Sequence, residues 1–211
     1  MAARPLRIVL LVIVAFGAGL LLARLLAPAR VTLPQTERAT VLSTPRALPP
    51  LELVDQDGRP LGPAYFDGHW TLVFFGFTQC PDICPTTLAT LAQTVRQLED
   101  LPAGRQPRVL LISVDPQRDP PGILAPYVRF FDPRFLGATG SLEATAAAAA
   151  AFSVPYAKVS LPEGGYTLDH GSGVFVVGPA GSMLAYFSAP HDAATLASDY
   201  RAIAEHLGTD R

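Results

Sequence analysis

Two continuous apolar runs, each followed by a segment with helical periodicity, constrain the fold of this chain most strongly. Residues 71–77 read TLVFFGF and residues 108–114 read RVLLISV, as expected of strands that are buried on both faces of a sheet. Residues 86–98 follow the first run with apolar side chains at helical spacing. Residues 120–131 follow the second with a helical pattern that we expect Pro126 to interrupt or kink. This alternation predicts a layered α/β domain with a central mixed sheet flanked by helices.

Shorter signals predict the remaining elements. An Asp-Gly pair within residues 51–62 predicts a β-hairpin at the start of the domain. Residues 173–189 contain two β-prone runs on either side of GPAG, which predicts a second hairpin. Ser141 and Asp192 are suitable N-caps for two further helices, the second of which is amphipathic.

The N-terminal part of the chain has the features of a membrane-directed segment. Residues 8–23 contain no charge and follow two arginines. Residues 1–27 therefore predict an uncleaved membrane anchor, and the same features also fit a cleaved signal peptide. Residues 28–46 are rich in proline and threonine and predict an extended tether, and residues 47–208 form the folded domain. Either interpretation exports this domain.

The charge pattern argues against a nucleic-acid partner. Five of the 16 basic residues and one of the 18 acidic residues precede Arg46, so the remainder carries 11 basic and 17 acidic residues, a net charge of about −6. The sequence has no basic stripe that would follow a phosphate backbone. A cationic metal, or a cationic patch on a partner, suits this field better.

Both cysteines of the chain lie in QCPDICPTT, residues 79–87, directly after the first predicted strand. In a parallel sheet, ligands gather where strands end and helices begin. Pro85 suits the first turn of the following helix, which places Cys84 at the helix N-terminus and Cys80 in the preceding loop. Because a helix N-terminus favours anions, we expect both thiols to convert readily to thiolates. A structural disulfide, a redox couple and part of a metal site are all compatible with this spacing.

His170 is the candidate for a third partner of the cysteines. It stands beside Asp169 at the mouth of a predicted strand, and the glycines after it permit close backbone approach. Its imidazole completes a Cys, Cys, His set if this loop faces the cysteines. Asp169, or Asp82 between the cysteines, would then act behind the ligands, orienting one of them or tuning the local charge. The other three histidines are interpreted as ordinary surface or loop residues.

Four motifs together resemble landmarks of the SCO/SenC family: FFGFTQCPDICPTTLATL, SVDPQRD, FDPRFLGATG and DHGSGVFVVGPAG. They occur in the family's order, and the resemblance covers residues 47–207. It implies a thioredoxin-like fold and an N-terminal transmembrane helix that leaves the domain in the periplasm or the mitochondrial intermembrane space. It also implies that Cys80, Cys84 and His170 bind copper, one Cu(I) or Cu(II) per chain, for insertion into the binuclear centre of cytochrome c oxidase subunit II.

The sequence departs from the family's pattern at two points. Position 79 is glutamine where many relatives have histidine, and Gly171 follows the histidine where the usual pattern has serine. The DPQRD motif is interpreted as architectural, with Asp119 as a helix cap. Thioredoxin-like reductases generally place a cis-proline against their cysteines. The corresponding residues 170–172 contain no proline, which favours metal binding over general reductase chemistry.

We therefore predict an anchored copper metallochaperone rather than a conventional enzyme, because thiolate and imidazole ligands suit copper. Its predicted partners are subunit II and either another copper chaperone or a thioredoxin-like reductant. Two alternatives stay open. A thiol–disulfide reductase that keeps the oxidase's copper-ligand cysteines reduced would depend on Cys80 and Cys84 but little on His170. A copper or redox sensor would bind the metal without transferring it.

Overall fold

The computed structural model describes residue 13 and residues 15–22 and 33–208. The chain separates into two units, Met1–Thr32 and Leu33–Arg211. The described residues of the first unit are helical. Most of the predicted N-terminal anchor, residues 1–27, lies outside the described residues. Within the described ranges, no helix is both long enough and apolar enough to cross a bilayer.

The second unit is a mixed α/β domain. Its strands are β1 (Thr40–Ala47), β2 (Leu53–Asp55), β3 (Pro60–Leu61), β4 (Thr71–Gly76), β5 (Arg108–Ser113), β6 (Leu136–Gly140), β7 (Tyr156–Ser160), β8 (Tyr166–His170), β9 (Val174–Val177) and β10 (Ser182–Phe187). Its α-helices are α1 (Ile83–Gln97), α2 (Pro121–Phe131), α3 (Leu142–Ala151) and α4 (Ala193–Leu207). Single turns of 3₁₀-helix at Pro63–Tyr65 and Ala103–Arg105 precede β4 and β5.

An eight-stranded sheet in the order β1-β10-β9-β4-β5-β6-β2-β3 forms the centre of this unit. β4, β5 and β6 are parallel neighbours, whereas β9 and β2 flank them in the antiparallel direction. Every residue of β4 is buried, as its continuous apolar run predicts. The mixed sheet and the hairpins β2–β3 and β9–β10 are thus confirmed. β7 and β8 form a separate two-stranded sheet.

Most helix boundaries follow the predicted signals. Ser141 and Asp192 each accept a hydrogen bond from the backbone N–H three residues later, so both N-caps are confirmed. The predicted interruption at Pro126 is wrong because α2 runs through it as one helix, and a kink there stays a prediction. Proline removes one backbone hydrogen bond there. The fully buried side chains of Leu124 and Val128 hold α2 on the core, and this packing offsets the lost bond.

The prediction that residues 28–46 form an extended tether is wrong for residues 40–46, which belong to a strand of the main sheet. β1 is an edge strand of the main sheet and pairs antiparallel with β10. Just before β1, the backbone N–H groups of residues 37–39 all donate to the carboxylate of Asp199 on α4, each over 2.8 Å. The segment is extended because it completes the sheet. Its side chains are largely exposed, so the sequence carries no apolar pattern that reveals the strand.

Candidate metal centre

The two cysteines lie just after the end of β4, where the chain passes through a short loop into α1. Cys80 lies in this loop and Cys84 in the first turn of α1, as predicted. The backbone N–H of Cys84 donates to Sγ of Cys80 over 3.4 Å. Both cysteines are free thiols, with Cys84 fully buried and Cys80 9% exposed. One sulfur therefore lies inside the protein and the other just beneath its surface.

His170, the last residue of β8, approaches the cysteines from the two-stranded sheet. Its Nε2 lies 3.3 Å from Sγ of Cys84. The ligand atoms of Cys80, Cys84 and His170 all lie within 4.8 Å of one another, and no other His, Cys, Asp or Glu among the described residues joins this group. The half-buried imidazole packs edge-to-face against Phe74 and Phe77, with ring centroids 6.1 and 5.8 Å away. The structure thus brings together the three residues that the sequence singled out.

The hydrogen bond of His170 fixes its tautomer. Nδ1 lies 3.1 Å from the carbonyl oxygen of Gly171. Since a carbonyl only accepts, Nδ1 carries the proton and Nε2 presents a lone pair to the sulfurs. Burial lowers the pKa of His170, while the Gly171 carbonyl and the charge of Asp169 oppose that shift. The imidazole is therefore neutral at neutral pH, as a metal ligand must be.

The prediction that both thiols ionise readily is wrong for Cys84. Burial raises the pKa of Cys84, and the neighbouring side chain of Cys80 raises it further. The N-terminus of α1 favours a thiolate, but enclosure of the sulfur in the apolar core has the larger effect. Cys84 is therefore a neutral thiol in the metal-free protein, and a thiolate forms there when a bound cation displaces the proton.

The sulfur of Cys84 fits beside a strand residue that has no side chain. A Cβ placed on Gly76, at the end of β4, would stand 2.9 Å from Sγ of Cys84 and 3.0 Å from the ring of Phe74. Both distances are shorter than an ordinary carbon contact. Gly76 thus leaves the space that the sulfur occupies. Gly76 was not among the predicted site residues, although a glycine inside a buried strand signals close approach.

A groove of about 230 Å³ opens beside the centre, and Asp82 and Asp169 both line it. Both carboxylates are exposed. Oδ1 of Asp82 accepts a hydrogen bond from Thr86 over 3.4 Å, and Asp169 acts on His170 through its charge. Among the contacts of the described residues, neither carboxylate hydrogen-bonds to Cys80, Cys84 or His170. Asp169 therefore acts on the centre through its charge, whereas a role for Asp82 behind the ligands stays a prediction.

The sequence profile of the SCO1/SenC family matches residues 40–205. The chain belongs to the SCO1/SenC family. It is 38% identical over 156 residues to a Stutzerimonas stutzeri protein named for copper binding. The matched region covers 73% of this chain and 76% of that protein. It is 40% identical over 150 residues to the mitochondrial protein SCO2 homolog of Bos taurus, covering 71% of this chain and only 56% of the bovine protein. Arabidopsis thaliana ScoI with copper bound has a similar structure, with a TM-score of 0.70 and 31% identity over 75% of this chain and 98% of that chain.

The DPQRD segment of this SCO1/SenC domain supports the cysteine loop. Asp119 does not cap α2, whose N-cap residue is Pro120, so the expected cap is corrected. The buried carboxylate of Asp119 instead accepts hydrogen bonds from the backbone N–H of Thr78, over 3.0 Å, and from the hydroxyls of Thr78 and Ser113. These bonds fix the backbone two residues before Cys80.

A second supporting residue of the SCO1/SenC site was interpreted from the sequence as ordinary. Nε2 of His191 lies 2.7 Å from the carbonyl oxygen of Ser172, to which it donates. Ser172 lies two residues after His170, in the segment between β8 and β9, so this bond fixes the backbone next to His170. Burial lowers the pKa of His191, and its neutral imidazole still donates from Nε2. The thioredoxin-like fold of the family, a mixed sheet with flanking helices, thus positions both the cysteines and His170.

Proposed function

We propose that this SCO1/SenC protein is a copper metallochaperone that helps to assemble the binuclear copper centre of cytochrome c oxidase subunit II. The observation that carries the proposal is the convergence of Cys80, Cys84 and His170 to within 4.8 Å, beside an open groove. Two sulfurs and one imidazole nitrogen are soft or borderline donors that suit copper, with zinc as a competitor. The copper-bound Arabidopsis relative and the Stutzerimonas relative that is named for copper binding support the same choice.

Three protein ligands suit one Cu(I) per chain and leave room for a ligand from a partner, whereas Cu(II) needs further ligands. When copper binds, Cys84 gives up its thiol proton and the neutral His170 offers Nε2. Asp82 and Asp169 on the groove favour the approach of a cation or of a positively charged surface. The expected partners are subunit II as the acceptor, and another copper chaperone or a thioredoxin-like reductant.

The same proposal includes a membrane location. Residues 1–27 would anchor the chain and leave the domain on the periplasmic or intermembrane-space side. The uncharged run over residues 8–23, preceded by two arginines, supports this orientation. Alkaline extraction of membranes is the test: the chain should stay in the membrane pellet, and its release into the extract would contradict an anchor.

A thiol–disulfide reductase is the second candidate, because the two cysteine thiols are free and adjacent. In that reaction Cys80 and Cys84 would be oxidised to a disulfide while a disulfide of subunit II is reduced to two thiols. A sensor, by contrast, would bind copper and pass on neither copper nor electrons.

Two mixing experiments separate these functions. In the first, the full-length chain loaded with one Cu(I) is mixed with the reduced, copper-free domain of subunit II. In the second, the reduced, copper-free chain is mixed with the oxidised domain. A chaperone transfers copper in the first mixture and loses this ability with His170→Ala. Thiol exchange in the second mixture alone, undiminished by His170→Ala, would establish the reductase instead. If neither reaction occurs, the sensor is the function that remains.

A further inference from the structure

We propose that Arg118 is a positioning residue that clamps the β7–β8 hairpin, and with it His170, against the cysteine loop. The inference deepens the proposed function and rests on it for the identity of the metal. Arg118 belongs to neither ligand-bearing element, since it lies in the DPQRD loop between β5 and α2. Its guanidinium nevertheless contacts both of them.

Directional hydrogen bonds join the guanidinium to both sides of the centre. Nη1 of Arg118 donates to Oε1 of Gln79, in the cysteine loop, and to the carbonyl oxygen of Tyr166, at the start of β8, each over 3.0 Å. Nε donates to the buried carboxylate of Asp115, which fixes the side chain to its own loop. A planar guanidinium holds such bonds in fixed directions, which a lysine ammonium cannot do.

Aromatic contacts extend this clamp to the histidine itself. The guanidinium carbon lies 3.8 Å from the ring centroid of Tyr166, whose hydroxyl donates to Asp115 over 2.9 Å. It also lies 5.9 Å from the ring centroid of Phe77, which packs against the imidazole of His170 at 5.8 Å. The side chain of Arg118 is only 22% exposed, and shielding from water strengthens both kinds of contact.

The hairpin that carries His170 depends on such contacts for its position. β7 and β8 form a sheet of their own, and their residues are half-buried or exposed. A two-stranded hairpin is only marginally stable by itself. The cysteine loop, in contrast, continues directly from the fully buried β4. The placement of Nε2 relative to the two sulfurs therefore rests on contacts made outside the hairpin, with Phe74 and Phe77 and with Arg118. Arg118 supplies both a hydrogen bond and a ring contact.

The test compares Arg118→Gln and Arg118→Lys with Arg201→Gln in the full-length chain, purified in detergent. Arg201 is a matched control because its guanidinium also bonds a carboxylate, on Asp100, and a backbone carbonyl, on Gln97, at the opposite end of α1 from Cys84. One measurement is amide hydrogen exchange of the metal-free protein. The others are Cu(I) affinity against a competing chelator and the thiolate-to-copper absorption of the Cu(II) form.

We expect Arg118→Gln to speed exchange in β7 and β8 about tenfold or more while β4 and β5 stay protected, and to weaken Cu(I) binding about tenfold. The altered ligand geometry should also shift the thiolate-to-copper absorption. Arg118→Lys keeps the charge but not the planar fork, so it should show most of both losses. Arg201→Gln should show neither.

Unchanged hairpin exchange in Arg118→Gln, or full rescue by lysine, would overturn the role of the guanidinium as a clamp. If Arg118→Gln does not fold, the lysine variant and the control decide the same question. A wild-type chain that binds no copper would instead refute the proposed function, and the exchange comparison would still decide the role of Arg118.

Discussion

Sγ of Cys84 lies 3.3 Å from Nε2 of His170, although 86 residues separate the two in the chain. Because Nδ1 carries the imidazole proton, Nε2 accepts a hydrogen bond and the thiol of Cys84 donates it in the metal-free protein. A metal that enters the centre replaces this proton between the same two atoms. Binding is therefore coupled to proton release.

Copper affinity should rise with pH. Burial raises the pKa of Cys84, so its thiol is protonated throughout the neutral range and must lose a proton when copper binds. Each proton released strengthens binding about tenfold per pH unit. The lowered pKa of His170 means that the imidazole has no proton to lose at neutral pH. Competition titrations from about pH 6 to about pH 8 measure this slope, and an affinity independent of pH would contradict a protonated Cys84.

Gly76→Ala should displace the sulfur of Cys84 or the end of β4, and so lower both stability and copper affinity. The added Cβ would stand 2.9 Å from Sγ of Cys84, so either the sulfur or the strand must move. Overpacking of this kind lowers the free energy of unfolding by about 1–3 kcal/mol, which denaturant titration measures. Cu(I) affinity should fall as well.

Gly137→Ala is the matched control for this substitution. Its Cβ would stand 3.2 Å from Cβ of Leu124, in a crowded part of the core on β6 rather than beside a cysteine. We expect it to lower stability and leave copper affinity unchanged. Equal losses of affinity in the two glycine variants would show that the space at Gly76 has no particular relation to the sulfur of Cys84.

Asp119→Asn should loosen the cysteine loop. The carboxylate accepts bonds from Thr78 and Ser113, and the amide nitrogen of asparagine faces some of these donors with a donor of its own. We expect the free energy of unfolding to fall by about 1–3 kcal/mol, with weaker Cu(I) binding, in denaturant and competition titrations. Asp192→Asn, at the exposed N-cap of α4, should change stability by only a few tenths of a kcal/mol and copper affinity not at all. Wild-type copper binding by Asp119→Asn would contradict a supporting role.

Asp199→Ala should release the segment that precedes β1 without affecting the metal centre. Three backbone N–H groups, of residues 37–39, lose their acceptor, which lowers the free energy of unfolding by about 1–3 kcal/mol. Hydrogen exchange should quicken over residues 37–47, while Cu(I) affinity stays at the wild-type value. Unchanged exchange in this segment would show that Asp199 does not hold it.

The sequence predicted the elements whose signals are local. The continuous apolar run before Cys80 is β4, the helical spacing after Cys84 is α1, and the side chains of Ser141 and Asp192 cap their helices as expected. β1 was missed because an exposed edge strand needs no apolar alternation, and its backbone pairing with β10 is a long-range property.

The centre was predictable only in part, because it too depends on long-range pairing of strands. Cys80, in the loop before α1, and Cys84, in the first turn of α1, are only four residues apart, so their spacing is informative. His170 meets them because β9, which follows it, pairs with β4 in the sheet, and spacing alone does not encode that order. The roles of Arg118 and Asp119 depend on the same placement. The raised pKa of Cys84 depends on burial, which outweighs the effect of the helix N-terminus.

We propose that Cys80, Cys84 and His170 bind one copper together. An anaerobic titration of the reduced full-length chain with Cu(I), against a competing chelator, tests it most directly for wild type, His170→Ala and His69→Ala. His69 is the control because its imidazole contacts Arg108, outside the centre. We expect one copper per chain and a loss of about tenfold or more, about 1.4 kcal/mol, in His170→Ala only. Wild-type affinity in His170→Ala would contradict the three-ligand centre.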